Sequence, residues 1–231
     1  LYKQVLDQDG KAIQWSWRAN RYADYLIAHH LKVKDVDFKK AYYVEIPMVE
    51  NQVEIRSYQY ADIVRRASNR YGIPEDLIYA IIKTESSFNP YAVSWANAYG
   101  LMQVVPKTAG RDVFKLVKKR SGEPSPEYLF NPENNIDTGT AYFYLLKNRY
   151  LKDVRHPTSL EYSMISAYNG GTGGVLNTFN RSDRSRAMRD LNSLQPNQVY
   201  WALTKKHPNS ESRRYLEKVT KYKQDFNAGK G

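Results

Sequence analysis

Cysteine is absent from the 231 residues. Disulfides, thiolate metal sites and a cysteine nucleophile are excluded together. Histidine is scarce as well. Of the four, His29 and His30 are adjacent and none fits a ligand spacing such as HExxH, so no metal site and no other cofactor is expected. No apolar run approaches the roughly 18 residues needed to span a bilayer. At Leu1 there is neither a charged-then-apolar leader nor a lipidation motif. The expectation is therefore a processed or truncated product.

A hydrophobic content of 42% suffices for a packed core, and the length suits one large domain, alone or with an appendage. The net charge is +11. Such a balance bears on partners rather than fold, and favours nucleic acid, an anionic membrane surface or an acidic polysaccharide. The basic residues are spread out. The short patches Lys115–Arg120, Arg181–Arg189 and Lys205–Lys206 read as solvated helix faces. No nucleic-acid-binding motif occurs, so no nucleic-acid partner is expected. Twenty tyrosines offer flat apolar faces with hydroxyls, which suits sugar rings.

Residues 17–31 carry apolar side chains at helical spacing. The stretch 38–49 is β-branched and aromatic and reads as one strand, ended by Pro47. One strand cannot satisfy its own backbone, so residues 1–56 are expected to be part of a larger N-terminal domain. From Ser57 onward the helical period dominates. Helices are expected over about 58–70 (with Gly72 as its C-terminal glycine), 74–87, 106–119, 133–151, 158–169, 172–179, 183–194, 196–206 and 208–226. Residues 89–105 read as a loop and 123–126 as a turn. The glycine run Asn169-Gly170-Gly171-Thr172-Gly173-Gly174 either admits a ligand close to the backbone or turns the chain. The body is thus mainly α, and the expected division is 1–56 and 57–231.

Glu85 stands out because it is badly placed for stability. It falls in the last turn of the helix expected over 74–87, at the negative end of the helix dipole. Ile78, Ile81 and Ile82 lie seven, four and three residues before it, an apolar wall by helical spacing. Both influences favour the neutral carboxyl, the form that a general acid needs.

Three stretches occur in one order: Glu85-Ser86-Ser87-Phe88-Asn89-Pro90, Gly100-Leu101-Met102-Gln103-Val104 and Ala167-Tyr168-Asn169-Gly170. A fourth, Glu211-Ser212-Arg213-Arg214-Tyr215, follows. Together they resemble the lytic murein transglycosylases of the goose-lysozyme-like superfamily, over about residues 57–226. In one membrane-bound branch the likeness extends into residues 1–56. The resemblance implies an α+β, lysozyme-like catalytic domain acting on the glycan of peptidoglycan. The β-1,4 bond from N-acetylmuramic acid to N-acetylglucosamine would be cut without water, leaving 1,6-anhydromuramic acid ends. Glu85 would be the catalytic acid and then base. Ser94, Met102, Gln103, Tyr168, Asn169 and Tyr215 would bind substrate. Met102 would line the subsite, Gln103 would donate to and accept from an acetamide, and Asn169 would orient it. The resemblance also implies a lipoprotein anchored on the periplasmic face of the outer membrane; the sequence does not fix the oligomeric state, and a monomer is expected.

Glycosidases that use two carboxylates set them about 5–9.5 Å apart across the bond. The four motifs offer no second carboxylate beside Glu85 in a matching role, which suits intramolecular attack by the sugar's own C6 hydroxyl. A goose-type hydrolase would need one, and Asp112, Glu123, Asp137, Glu45, Glu50 and Glu54 are available. A non-catalytic peptidoglycan-binding scaffold is the other alternative.

Overall fold

The computed structural model describes residues 5–13, 15–46, 57 and 59–228. The chain divides into two compact units, Leu1–Gln59 and Tyr60–Gly231. Among the described residues no helix is long and apolar enough to cross a membrane.

The first unit holds helix α1 (Ser16–His30) and an antiparallel hairpin of β1 (Lys32–Val36) and β2 (Lys39–Tyr43). Val5, Tyr22 and Leu26 form its small core, with Ile13, Tyr25, Val44 and Ile46 packed around them. The single strand expected over 38–49 is corrected here. Its pairing partner is β1, just upstream, and Phe38 lies in the turn rather than in a strand. Asp37 (φ 46°) and Phe38 (φ 64°) both take left-handed backbone, as the two central residues of a tight hairpin turn must. Every residue of β1 is exposed, so Lys32-Val33-Lys34-Asp35-Val36 carries no buried-face alternation to reveal it. Residues 47–49 lie outside the described residues.

The second unit is helical. Helix α2 (Ala61–Tyr71) ends on Gly72 (φ 64°), whose N–H reaches the Ser68 carbonyl, as a C-terminal glycine does. Helix α3 (Glu75–Ser86) starts with Glu75 and Asp76 at its positive end and buries Leu77, Ile78, Ala80, Ile81 and Ile82. Burying each of the larger side chains contributes about 1.5–3 kcal/mol. The helix stops because Ser87 (φ 49°) and Phe88 (φ 63°) turn left-handed. Phe88 is thereby driven into a cluster with the Tyr60, Tyr79 and Phe226 rings.

The helix expected over 106–119 is a π-helical turn, Pro106–Gly110, running into a short α4 (Arg111–Leu116). The turn expected at 123–126 leads directly into another short helix, α5 (Pro126–Phe130). The Ser125 hydroxyl caps it by accepting from the Tyr128 N–H. Helix α6 (Pro132–Leu145) is capped by Asn131 and continues as a π-helical turn to Tyr150. Residues on all sides of α6 are buried, among them Asn135, Ile136, Gly139, Thr140 and Phe143, so it runs through the core.

Helix α7 (Pro157–Phe179) is broken by Gly171, at φ 74° and ψ 157°. This conformation is open to glycine and divides the element where the sequence reading placed its boundary. Gly170 and Gly174 serve differently. A Cβ on either would lie within 2.8 Å of the buried His207 ring, so the glycine run lets α7 receive a neighbouring side chain. Helices α8 (Arg184–Ser193), α9 (Pro196–Lys205) and α10 (Ser210–Asn227) complete the unit. Helix α10 lies antiparallel along α3. Tyr215 meets Glu85, Tyr222 meets Lys83, Phe226 stacks on Tyr79, and Lys223 approaches Asp76.

Candidate active site

Glu85 sits in the last turn of α3 and is half-buried. Its Oε1 accepts a 2.6 Å hydrogen bond from the Tyr215 hydroxyl on α10. Its pKa is raised from 4.5 to about 7. Burial is the main cause, the charge on Glu211 adds to it, and the Tyr215 hydrogen bond and Lys218 oppose it. A sliver of the side chain reaches solvent, yet enough protein crowds the carboxyl for desolvation to prevail. A carboxyl balanced near neutrality can both release and recover a proton. Burial and the nearby Glu85 charge push the Tyr168 and Tyr215 phenols well above 10. Both therefore remain hydrogen-bond donors.

The loop facing Glu85 is built with little freedom. The Ser86 hydroxyl donates to the Leu101 carbonyl at 2.8 Å and pins the end of α3 to the loop. The Asn135 side chain, buried in α6, clamps the other side. Its Oδ1 accepts from the Met102 N–H at 2.8 Å, and its Nδ2 donates to the Tyr99 and Leu129 carbonyls at 2.7 and 2.8 Å. Gly100 (φ 75°) has no room for a side chain, since a Cβ would fall 2.3 Å from Asn135 Nδ2. The Tyr168 hydroxyl donates to the Met102 carbonyl at 2.8 Å, while its ring stacks on Phe143 with centroids 4.6 Å apart.

Two expected roles change. Met102 does not line a subsite. Its side chain is fully buried, with Thr140 reaching toward its sulfur and Gly139 making space for it. It contributes backbone to the site from a core position, as an adaptable apolar side chain does. Gln103 cannot donate to an acetamide from this arrangement. Its Nε2 already donates to the Ala92 and Gly100 carbonyls at 3.0 and 2.9 Å, leaving its carbonyl oxygen to accept.

Ser94 lies on the same loop, where its Oγ accepts from the Ala98 N–H at 3.1 Å. The loop is carried between Val93 and Tyr99, which form a bridge, and presents Trp95 at 95% exposure. Asn169 stands just before the α7 kink. Its Oδ1 accepts from the Ser212 hydroxyl at 2.6 Å, and its Nδ2 lies 3.4 Å from Glu211 Oε1. Glu85, Tyr168 and Tyr215 are thus gathered by α3, α7 and α10. Asn169 and Glu211 join them from one side, and Gln103 and Ser94 hold the loop on the other.

Sequence reasoning missed Asn135, Ser86 and Glu211. Asn135 lies in Pro132-Glu133-Asn134-Asn135, where polar residues near a helix start are ordinary, and nothing local distinguishes it from a solvated residue. Glu211 lies in the fourth motif, where the resemblance implies a role for Tyr215 alone. The carboxylates considered for water activation are otherwise engaged. Asp112 accepts from the Tyr150 hydroxyl, Asp137 accepts from Arg70, Tyr71 and Lys118, and Glu123 pairs with Arg111. Glu45 pairs with Lys32 in the other unit, and residues 50 and 54 lie outside the described residues.

Comparison with known proteins gives this arrangement a family. The model of the "Transglycosylase SLT domain" matches residues 62–190. The chain belongs to the transglycosylase SLT domain family. A second family model, "Membrane-bound lytic murein transglycosylase C, N-terminal domain", matches residues 1–59. Among curated relatives of this SLT-domain chain are two named membrane-bound lytic murein transglycosylase C. The one from Serratia proteamaculans is 52% identical over 226 residues, which are 98% of this chain and 63% of the relative. The one from Photorhabdus laumondii is 53% identical over 219 residues, 95% of this chain and 61% of the relative. The chain therefore spans less than two thirds of the length of these relatives. Among solved structures, the 70 kDa soluble lytic transglycosylase Slt70 from Escherichia coli aligns with a TM-score of 0.54 at 27% identity, covering 74% of this chain and 24% of that one. The 70-kDa soluble lytic transglycosylase in complex with bulgecin A aligns with a TM-score of 0.57 at 26% identity, covering 78% of this chain and 26% of that one. The helical unit has the lysozyme-like fold expected from the four motifs.

Proposed function

We propose that this chain is a peptidoglycan lytic transglycosylase, cutting the β-1,4 bond between N-acetylmuramic acid and N-acetylglucosamine without water. The observation that carries the reading is Glu85, a carboxyl raised to about 7 by burial and held by the Tyr215 hydroxyl. In this reading the protonated Glu85 gives its proton to the glycosidic oxygen as the C1–O bond breaks. The C6 hydroxyl of the muramoyl residue then attacks C1 and returns its proton to Glu85. A 1,6-anhydro ring forms, and Glu85 ends as it began. Attack from within the same sugar needs orientation more than an external nucleophile.

Tyr215 keeps the carboxyl aimed and tempers its pKa. Tyr168 acts through the Met102 carbonyl, fixing the loop opposite. The Gln103 carbonyl accepts an acetamide N–H, Asn169 donates its second N–H to the sugar, and the Ser94 hydroxyl meets a sugar hydroxyl. Residues 57–231 form the catalytic domain, and residues 1–56 belong to an N-terminal domain. The relatives' names speak of membrane attachment. We extend this to a monomer at the periplasmic face of an outer membrane, held by a lipid anchor outside this sequence, with peptidoglycan strands as its partner.

One observation favours hydrolysis as a second reading. Glu211 acts electrostatically on Glu85 and stands in the first turn of α10 beside Asn169, so a second carboxyl group is within reach of the site. Mass spectrometry of the muropeptides released from purified peptidoglycan separates the two readings. Products one water lighter than hydrolysis products, absent with Glu85→Gln, are expected. Reducing ends would transfer the chemistry to the Glu211 reading, and undiminished release by Glu85→Gln would refute both.

A further inference from the structure

One turn along the α3–α10 seam from Glu85 lies a second feature. The Lys83 Nζ sits 4.6 Å from the centre of the Tyr222 ring and 5.2 Å from that of Phe226. The Lys218 Nζ sits 5.7 Å from the same Tyr222 ring. Some basic residues on this unit pair with carboxylates: Lys205 meets Glu217, Lys223 meets Glu161, and Arg66 meets Glu133. Among the described residues, Lys83 and Lys218 meet none. Their shared ring keeps the two ammonium groups within about 10 Å of each other, the Debye length at about 0.1 M salt, so a single anion between them feels both.

The spacing along α10 places Lys218 and Tyr222 on the face that carries Tyr215. Lys218 follows Tyr215 by three residues and precedes Tyr222 by four, which places all three on one face of α10. That face is the one laid against α3, where Tyr215 holds Glu85. Lys218 is close enough to weigh on the Glu85 charge. The Tyr222 ring supplies a flat surface over which both ammonium groups sit.

We propose that Lys83, Lys218 and Tyr222 form a carboxylate subsite beside Glu85, which takes the acidic substituent carried by the muramoyl residue. The inference rests on the glycan-cleaving reading and adds what that reading lacks, a means of telling an acid-bearing strand from a neutral one. None of Ser94, Gln103, Tyr168 or Asn169 carries a positive charge, so these residues give no such distinction. Two sources supply a carboxylate there: the peptide attached to the muramoyl lactyl group, and the lactyl group itself once that peptide is removed.

The test uses the full chain with Glu85→Gln, so that strands bind without being cut, alone and together with Lys83→Gln and Lys218→Gln. Dissociation constants are measured for peptide-bearing strands, for strands stripped of peptide but keeping the lactyl carboxylate, and for neutral N-acetylglucosamine oligomers. Replacing both lysines is expected to weaken binding of an acid-bearing strand roughly tenfold, the effect of two partly exposed ion pairs, and to flatten its salt dependence. Weakening confined to peptide-bearing strands assigns the peptide as the source. Weakening confined to the stripped strands assigns the lactyl carboxylate, and weakening of both acid-bearing strands, with neutral oligomers spared, assigns a subsite that takes either carboxylate. Equal weakening on all three, or on none, overturns the subsite. The functional reading fails separately, if the chain with Glu85 intact releases nothing from peptidoglycan while the acid-bearing strands still bind. Glutamine removes the charge while keeping a polar end on a shorter chain, and circular dichroism confirms that the variants fold.

Discussion

Replacing Glu85 with glutamine should make the protein more stable at pH 8 and leave its stability almost unchanged at pH 4. In the folded state the carboxyl titrates at about 7 rather than 4.5. The native protein therefore holds a proton that the unfolded chain has released throughout the window between those values. Stability falls with rising pH wherever the native state binds more protons. The wild-type protein thus loses stability from about pH 4.5 to about pH 7 through this one group, and then levels off. At about 1.4 kcal/mol for each pH unit, the loss is bounded near 3.5 kcal/mol, and partial solvent contact brings it toward about 2. Glutamine is not subject to this loss, and its carbonyl can still accept from Tyr215. For a unit of this size about 2 kcal/mol corresponds to a rise in Tm of about 4–8 °C. Thermal unfolding of both proteins, followed by circular dichroism at several pH values from 4 to 8, gives the difference directly. Every other titrating group is common to both proteins and largely cancels. A gap that is the same at pH 4 and pH 8, or a variant less stable at pH 8, would refute the buried-acid account of Glu85.

Tyr215→Phe removes the hydroxyl that favours the Glu85 carboxylate. The Glu85 pKa should rise further, and the alkaline limb of the kcat/KM profile should move to higher pH. An unmoved limb would mean that the hydrogen bond has no hold on the acid. Asn135→Ala leaves the Met102 N–H and the Tyr99 and Leu129 carbonyls without their partner, and should cost about 3 kcal/mol in denaturant unfolding. Strand cleavage should fall even under conditions where the variant remains fully folded, because the loop opposite Glu85 loses its clamp. Full activity in the folded variant would show that the loop does not need it.

Most helices of the second unit were legible because each carries its own punctuation. Gly72 ends α2, Pro132 opens α6 behind the Asn131 cap, and Gly171 breaks α7. Glu85 was legible for the opposite reason: a carboxylate beside three isoleucines at a helix end violates local preference. What escaped was set by distant partners. Strand β1 shows no buried face, so its sequence carries no period to read. The resemblance made Met102 a subsite wall, yet the space left by Gly139, 37 residues away in the chain, turns it into the core. The Gln103 amide reads as a two-way hydrogen bonder until the Ala92 and Gly100 carbonyls occupy both its hydrogens. Asn135 is the clearest case. Its three contacts lie on loop residues 99 and 102 and at the end of α5, and no spacing rule joins them.

The bond between Tyr215 and Glu85 joins residues 130 apart, and this bears on how the chain comes into being. During synthesis Glu85 emerges long before α10. Until α10 docks, the carboxyl faces water with no phenol to receive it and little protein to dehydrate it, so it is an ordinary acid that has already lost its proton at neutral pH. The motifs at 85–90 and 100–104 can be complete while the protein is still chemically unarmed. In the proposed reading, a site whose final part arrives with the last described helix can hold its proton near neutral pH only as its folding finishes.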